Sequence, residues 1–247
     1  NTFAYPTKHT DADGYYSTSK FNFDFGVLTY RQTPPPNYTG APNAQPPGPD
    51  QSFEYYDNGR LKKQLSLVNN AYTRFEYSTS GIRVDTYTTI QDGLGEAHSF
   101  KITDGLGQLI ATAVDHPPVG DPQNVAGVFS GQKFVYDLMG RVIKTSHPAE
   151  TTASGPPSQW NTVGDDANAG WIYTVQTYDW KGRPRVTANT DGTTKEASYS
   201  GCGCAGGEVV TLTDEGTIDG GVAKRRQQKI YSDVLGRPFK TEVLNWE

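Results

Sequence analysis

Two cysteines separated by one residue are the most unusual candidates for chemistry in the sequence. Cys202 and Cys204 lie among glycines in residues 201–207, GCGCAGG. A Cys-x-Cys pair is compatible with a tight disulfide, with free thiols in a turn, with a bond to a neighbouring chain or with a soft metal ion. Tetrahedral zinc needs four ligands, and no other Cys or His is near in sequence. We therefore predict a disulfide, with free thiols as the alternative, and no metal site.

The other reactive side chains do not form a recognisable catalytic or metal-binding pattern. Residues 11–14, DADG, resemble the opening of a calcium loop, but the remaining oxygen ligands and the final Glu are absent at the required spacing, so we predict a turn. No Gly-x-Ser-x-Gly or comparable nucleophile motif accompanies the scattered histidines. We predict no catalytic residue and no cofactor. The histidines are His9, His98, His116 and His147.

The composition favours strands joined by many turns. The 247 residues include 15 Tyr, 27 Gly and 16 Pro, and Val, Thr, Tyr and Phe dominate the periodic segments. No long stretch shows the 3.6-residue apolar period of an amphipathic helix. The sequence therefore predicts an all-β fold, and its length allows one large β domain or two ordinary ones.

Charge and hydropathy narrow the classes of partner. The net charge is −5, and the basic residues concentrate only at residues 224–226, so we expect no nucleic-acid partner. No apolar run approaches the ~20 residues of a membrane-spanning helix. The first residue is Asn1 and no signal peptide is seen, so we expect a processed product or a segment of a longer protein. Asn37 begins a glycosylation acceptor, Asn-Tyr-Thr, which suits an extracellular or cell-surface protein.

A short hinge recurs along the chain, in which an Asp is followed within three residues by a Gly and then by a polar residue, usually Arg. Six copies exceed what chance would produce. The stronger copies are Tyr56-Asp57-Asn58-Gly59-Arg60, Tyr136-Asp137-Leu138-Met139-Gly140-Arg141, Tyr178-Asp179-Trp180-Lys181-Gly182-Arg183 and Asp233-Val234-Leu235-Gly236-Arg237. The degenerate copies are Asp92-Gly93-Leu94-Gly95-Glu96 and Asp104-Gly105-Leu106-Gly107-Gln108.

Hairpin geometry explains each residue type of this hinge. The Asp carboxylate can accept backbone N–H bonds across a turn, and the Gly can adopt a positive φ before the returning strand. The Tyr offers a broad surface for cross-strand packing, and the Arg can pair with a carboxylate or lie over an aromatic ring. We therefore interpret the hinge residues as structural.

The hinge spacing predicts where strands and loops lie. The two DGLG turns predict three consecutive antiparallel strands, and Thr190-Asp191-Gly192-Thr193 predicts a two-residue hairpin. The expected strands are residues 82–91, 96–103, 108–115, 185–190 and 193–200. Long inserts between hinges are expected to be loops, at residues 34–50, 116–131 and 146–170.

The repeated Tyr-Asp hinge resembles the YD repeat of the RHS (rearrangement hotspot) family, which includes toxin-complex C subunits and teneurins. The resemblance covers residues 53–241, with a degenerate copy at residues 23–26, FDFG. It implies YD-repeat hairpins in a curved or spiralling antiparallel ribbon with long loop inserts. In the family such ribbons form a hollow shell around a toxic cargo or a cell-surface scaffold. We predict an N-terminal segment at residues 1–52 continuous with a YD-repeat region at residues 53–247.

The favoured function is a non-enzymatic structural scaffold. An open antiparallel sheet leaves unpaired N–H and C=O groups at its edge strands, so we expect those edges to bind further YD repeats or identical copies, within a larger shell or an extracellular polymer. The alternative is a carbohydrate-binding surface module that stacks glycans on its tryptophans, and a hydrolytic enzyme ranks last. The tryptophans concerned are Trp160, Trp171 and Trp180.

Overall fold

A computed structural model of the protein describes residues 5–36, 38–90, 95–115, 128–201, 207–219 and 222–244. The fold is all-β, with 52% of residues in antiparallel strands. The helices among the described residues are single 3₁₀ turns. The prediction of an all-β chain of antiparallel hairpins is confirmed. The 3₁₀ turns are η1 Pro42–Ala44, η2 Pro157–Gln159 and η3 Gly164–Asp166.

The chain divides into two compact units. Unit 1 comprises Asn1–Gly107 with Thr112–Phe129, and unit 2 comprises Gln108–Ala111 with Ser130–Glu247. Strand β9, Leu109–Asp115, contributes residues to both. The sequence-based boundary between residues 52 and 53 falls inside a strand, Asp50–Tyr55.

Unit 1 contains a meander in which each strand pairs antiparallel with the next along the chain. This order follows from short turns, because an antiparallel neighbour can be reached by a connection of a few residues. The predicted strands at 82–91 and 96–103 correspond to β7 and β8, and 108–115 corresponds to β9. The strands are β1 Lys8–Thr10, β2 Tyr16–Asn22, β3 Val27–Gln32, β4 Asp50–Tyr55, β5 Leu61–Ser66, β6 Tyr72–Tyr77, β7 Arg83–Thr89 and β8 Glu96–Thr103.

Unit 2 is also an antiparallel meander, and it is interrupted twice, by β12 and by the hairpin of β17 and β18. Antiparallel pairing runs through β10, β11, β13, β14, β15, β16, β19 and β20, while β17 and β18 form a separate two-stranded hairpin. The strands are β10 Phe129–Tyr136, β11 Val142–Ser146, β12 Ala149–Thr151, β13 Tyr173–Tyr178, β14 Pro184–Ala188, β15 Thr194–Ser200, β16 Val209–Thr213, β17 Thr217–Asp219, β18 Val222–Lys224, β19 Gln227–Ser232 and β20 Pro238–Leu244.

Two connections of unit 2 differ from the sequence-based expectation. Asn189 donates its N–H to the Thr193 carbonyl, and Gly192 donates to the Asn189 carbonyl, so the loop between β14 and β15 has three residues rather than two. A type I turn followed by Gly192 at φ +83° accounts for the extra residue. The 146–170 insert is not wholly loop, because it contains β12, η2 and η3.

Few hydrophobic side chains are fully buried among the described residues of either unit. Phe100 and Ile102 of β8 are buried in unit 1, and the Phe100 ring lies 5.3 Å from that of Phe129. In unit 2 the insert supplies the one large buried hydrophobic side chain among the described residues, Trp160, which is 2% exposed. Most strand residues are half-buried, so cross-strand side-chain pairs and backbone ladders must carry much of the stability.

Candidate functional site

Three hinges of unit 2 form one repeated corner. In each, the Asp donates its N–H to the carbonyl of the Arg four residues later, at 2.9 Å. The carboxylate Oδ1 accepts the N–H groups two and four residues later, again at 2.9 Å. The carboxylate thereby satisfies backbone donors that no strand pairs across the turn. The three carboxylates belong to Asp137, Asp179 and Asp233.

The glycine of each corner adopts the left-handed backbone conformation. Gly140, Gly182 and Gly236 have φ of +76°, +81° and +77°, and each donates its N–H to the carbonyl of the corner Asp. This is a type I turn followed by a left-handed residue, which inserts one residue into the returning strand. The strand registers shift at these corners accordingly.

The arginine closes the corner from the other side. The Nε of Arg141, Arg183 and Arg237 donates to Oδ2 of the corner Asp at 2.7, 2.7 and 2.8 Å. A terminal guanidinium nitrogen approaches the same oxygen at 2.6, 2.7 and 2.8 Å. Such charge-assisted bonds hold the guanidinium in a fixed plane over the start of the returning strand.

A tyrosine from the next strand of the sheet then covers the corner. The Tyr178 ring lies 4.6 Å from the Arg141 guanidinium, and its hydroxyl donates to the Val142 carbonyl at 2.8 Å. Tyr199 lies 3.9 Å from the Arg183 guanidinium and donates to the Pro184 carbonyl at 2.7 Å. We call this arrangement of ring, guanidinium and carbonyl the tyrosine clasp.

The clasp also occurs in unit 1 and, in part, at corners without arginine. Tyr77 lies 5.1 Å from the Arg60 guanidinium and donates to the Leu61 carbonyl at 3.0 Å. Two more tyrosines make the hydroxyl bond alone, also to the carbonyl two residues after a corner glycine. They are Tyr55, which donates to Leu28 at 2.8 Å, and Tyr136, which donates to Leu109 at 2.8 Å.

In two of the three YD pairs, those of Tyr136 and Tyr178, the tyrosine therefore stabilises the corner before its own, whereas the Tyr56 hydroxyl donates to the Phe75 carbonyl at 2.9 Å. Tyr136 precedes the Asp137 corner in the sequence, but its hydroxyl binds the strand that follows the Asp104 corner. Sequence reasoning assigned such tyrosines only a packing surface and missed Tyr55, Tyr77 and Tyr199. The available signal was a tyrosine at the last position of a six-residue strand, as in β4, β6 and β13.

The hinge at residues 56–60 differs from the others because it is one residue shorter. Tyr56 occupies the position of the corner Asp, since its N–H donates to the Arg60 carbonyl and its carbonyl accepts the Gly59 N–H. Asp57 thus moves one position into the turn, and the Asn58 side chain accepts the Arg60 N–H at 3.1 Å instead. Gly59 keeps the left-handed conformation, at φ +78°.

The degenerate hinges keep part of the pattern. Asp104 accepts the Leu106 N–H at 2.9 Å, and Gly107 has φ +81°, whereas Gln108 replaces the arginine. Gly95 has φ +90°, and the Glu96 carboxylate accepts hydrogen bonds from Arg74 Nε and Nη2 at 2.6 and 2.7 Å. The predicted residues outside the described part of the chain are Asn37, Asp92, His116, Cys202 and Cys204.

The DADG stretch is a further corner of the same kind. Asp11 Oδ1 accepts the N–H groups of Asp13 and Tyr15 at 3.0 and 2.9 Å, and Gly14 has φ +90°. The spacing from Asp11 to Gly14 equals that from Asp104 to Gly107, so the sequence alone could have predicted this corner. Within the described ranges, no group of three or more His, Cys, Asp or Glu side chains is placed to hold a metal ion.

Of the remaining candidates for chemistry, His98 and Trp171 lie in packed or bonded surroundings, whereas Trp180 is exposed. His98 Nε2 lies 2.8 Å from Asp85 Oδ1, its ring stacks on Tyr87 at 4.4 Å, and Arg83 holds both oxygens of Asp85. Trp171 donates its indole N–H to the Trp160 carbonyl at 2.9 Å. Trp180, at the tip of its corner, is 88% exposed. Among the helices of the described chain, none is long and apolar enough to cross a membrane.

The corner carboxylates should make stability sensitive to acid. The Arg141 guanidinium, followed by the Arg141 backbone N–H, holds the pKa of Asp137 below its ordinary value. The Arg237 backbone N–H and guanidinium likewise lower the pKa of Asp233. Burial acts to raise the pKa of Asp179, but the Arg183 bonds outweigh it and the pKa is lowered.

A folded-state pKa below the unfolded value of about 3.9 stabilises the fold above that pH and ceases to do so as pH falls through the folded pKa. We expect Asp137→Asn to be less stable than the wild type at pH 7, and the gap to shrink below about pH 4. Urea unfolding of both proteins from pH 7 to pH 2 measures the gap. A gap that is constant with pH would contradict the Asp137–Arg141 pairing.

The clasp hydroxyl should contribute measurably to stability. We expect Tyr178→Phe to lower the free energy of unfolding by about 1 kcal/mol, because the Val142 carbonyl loses its donor while the ring stays in place. Tyr173→Phe on the same strand is the matched control, since its hydroxyl makes no hydrogen bond within the described residues, and should cost less than about 0.5 kcal/mol. Urea titrations compare them, and equal losses would refute a specific role for the hydroxyl.

Comparison with known proteins finds likeness in structure rather than in sequence. No family model matches the chain, and no curated protein matches its sequence. A chain in the crystal structure of TcdB2-TccC3-Cdc42 is similar, with a TM-score of 0.61 and 12% identity over 98% of this chain. A chain in the crystal structure of TcdB2-TccC3 gives a TM-score of 0.52, also at 12% identity and 98% coverage. This chain spans only 11% and 12% of those chains, and it shares the fold of a part of each.

Proposed function

We propose that the chain is a non-enzymatic YD-repeat scaffold that works outside the cell or at its surface. One observation carries the proposal: the polar groups of the repeated hinges bond to one another within the sheet. The carboxylates bind backbone N–H groups and arginines, and the tyrosine hydroxyls bind backbone carbonyls of the preceding corner. Groups that are bonded in this way hold hairpins in register and are unavailable for acid–base or nucleophilic work.

Two forms of scaffold fit this chemistry. The chain can serve as a segment of a larger RHS-type shell or as a subunit of a polymer, since each added hairpin repeats the corner and its clasp. The similarity in fold to part of the chains in the TcdB2-TccC3 structures supports an architectural role. In both forms the free edge of a sheet binds further strands, from more repeats or from identical copies.

Light scattering and electron microscopy of the purified chain over a concentration series test the proposal. The polymer form predicts a mass that rises with concentration and visible filaments. The shell form predicts a chain that stays small until it is joined covalently to further repeats and then forms a closed wall in micrographs. A compact monomer in both experiments would overturn the scaffold proposal.

A carbohydrate-binding module is the second candidate, and Trp180 is the residue that favours it. Its ring is 88% exposed at a hairpin tip, and the Lys181 ammonium lies 5.1 Å from the ring centre. An exposed indole can stack on the apolar face of a sugar. Glycan-array binding that is lost in Trp180→Ala but kept in Leu138→Ala, a change at an equally exposed tip without a ring, would support this function. Identical arrays for all three proteins would exclude it.

A further inference from the structure

The three complete clasps share one register between the corner and the covering strand. Lys63 of β5 pairs with Arg74 of β6. Lys63 lies three residues after Arg60, and Arg74 lies three residues before Tyr77. Continuing the ladder toward the corner therefore places the clasp tyrosine directly opposite the corner arginine.

The two clasps of unit 2 obey the same rule. Lys144 pairs with Val175, three residues from Arg141 and Tyr178. Val186 pairs with Glu196, three residues from Arg183 and Tyr199. The strands that carry the clasp tyrosines are β6, β13 and β15. In each, the tyrosine is the sixth residue of the strand, and the sequences up to it are YTRFEY, YTVQTY and TKEASY.

In the described part of the chain, the corner between β19 and β20 lacks only the covering tyrosine. Asp233 and Arg237 make the same bonds as the other corners, and Gly236 has the same conformation. However, the Arg237 side chain is 73% exposed, against 31% for Arg141 and 27% for Arg183. No tyrosine of the described residues covers the Arg237 guanidinium.

The strand that follows this corner also has an uncovered edge. Strand β20 pairs with β19, and no second partner strand for β20 is found in the described part of the chain. Six of its seven residues are exposed, including Phe239 at 67% and Val243 at 61%. An uncovered edge supplies the backbone donors and acceptors for one more antiparallel strand.

We propose that the edge of β20 is a docking site for one extended antiparallel strand whose last residue is tyrosine. The tyrosine lies opposite Arg237, its ring under the guanidinium and its hydroxyl donating to the Pro238 carbonyl. The occupant comes from another YD repeat rather than from an intact identical copy, because the described tyrosine-ended strands of each copy are already paired on both edges. The inference rests on the proposed scaffold function and specifies which partner its edge selects.

Peptide binding to the full-length chain tests the proposal. The probe is a synthetic fluorescein-labelled peptide of residues 173–183, YTVQTYDWKGR, and the comparison peptide carries Tyr178→Phe. We expect fluorescence anisotropy to show binding that weakens about fivefold with the phenylalanine peptide, the usual effect of one hydrogen bond. Arg237→Ala in the chain should weaken binding by a similar factor, and Arg185→Ala, which removes an exposed arginine whose side chain takes no part in a clasp, should not.

Hydrogen exchange locates the peptide and separates this inference from the scaffold proposal. Backbone amides of residues 239–244 should exchange more slowly when the peptide is bound. Equal binding of the two peptides, indifference to Arg237→Ala, protection elsewhere or no binding at millimolar peptide would each overturn the docking site. The scaffold proposal is judged separately, by the mass and micrographs of the chain without peptide.

Discussion

Replacing Gly207 with alanine is expected to destabilise unit 2 by about 2–5 kcal/mol. Gly207 is buried with φ +87°, where a side chain costs about 1–2 kcal/mol. An added Cβ would also overlap the Ser232 carbonyl oxygen and lie 2.7 Å from its carbon. These are backbone atoms, and moving them strains the bond from the Ser232 N–H to the Glu208 carbonyl, so overpacking adds about 1–3 kcal/mol.

Gly192→Ala separates the two causes. Gly192 has nearly the same backbone conformation, φ +83°, but a Cβ there would meet no atom within 4 Å. Its loss should therefore be confined to the conformational cost of about 1–2 kcal/mol. Urea unfolding followed by tyrosine and tryptophan fluorescence gives both values. If the two variants lose the same stability, the close approach of Gly207 to Ser232 is not what demands glycine there.

The corners were predictable because their interactions are short in sequence. Asp137, Gly140 and Arg141 lie within five consecutive residues, and the chemistry of an acceptor, a left-handed residue and a cation needs no knowledge of distant strands. The hinge at residues 56–60 differs from this pattern in where its turn begins. The Tyr-Asp pair was aligned by residue type, whereas the turn counts positions back from Gly59 and so begins at Tyr56.

The clasps could not be predicted in the same way, because their partners are brought together by sheet order. Tyr178 binds the carbonyl of Val142 across an insert, and only the pairing of β11 with β13 makes them neighbours. A periodic sequence fixes which residues face one side of a strand, but the identity of the neighbouring strand depends on the whole ladder. The tyrosine before each Asp was therefore noticed without its partner being identified.

The tryptophans show why residue type alone assigns function poorly. The sequence offered three equivalent candidates for stacking on a sugar, Trp160, Trp171 and Trp180. In the structure Trp160 is buried and Trp180 is exposed. The difference arises from context, since Trp180 occupies a turn position whose side chain points away from the ladder. Trp160 instead lies in an insert, directly after η2, where it is buried and bonded to the Gly155 carbonyl, and an insert of this kind has no repeat from which its structure could be inferred.

Trp160→Ala should lower the free energy of unfolding of unit 2 by about 3–5 kcal/mol, because it empties the site of a large buried side chain. It also removes the indole N–H bond to the Gly155 carbonyl at 3.1 Å. Trp180→Ala is the matched control, and its exposed ring should cost less than about 0.5 kcal/mol. Urea unfolding followed by circular dichroism measures both changes. Comparable small losses would mean that the insert does not pack as an integral part of unit 2.

A large loss for Trp160→Ala alone would also mean that any glycan binding lost in that variant reflects unfolding, so only Trp180→Ala can test the carbohydrate-binding function.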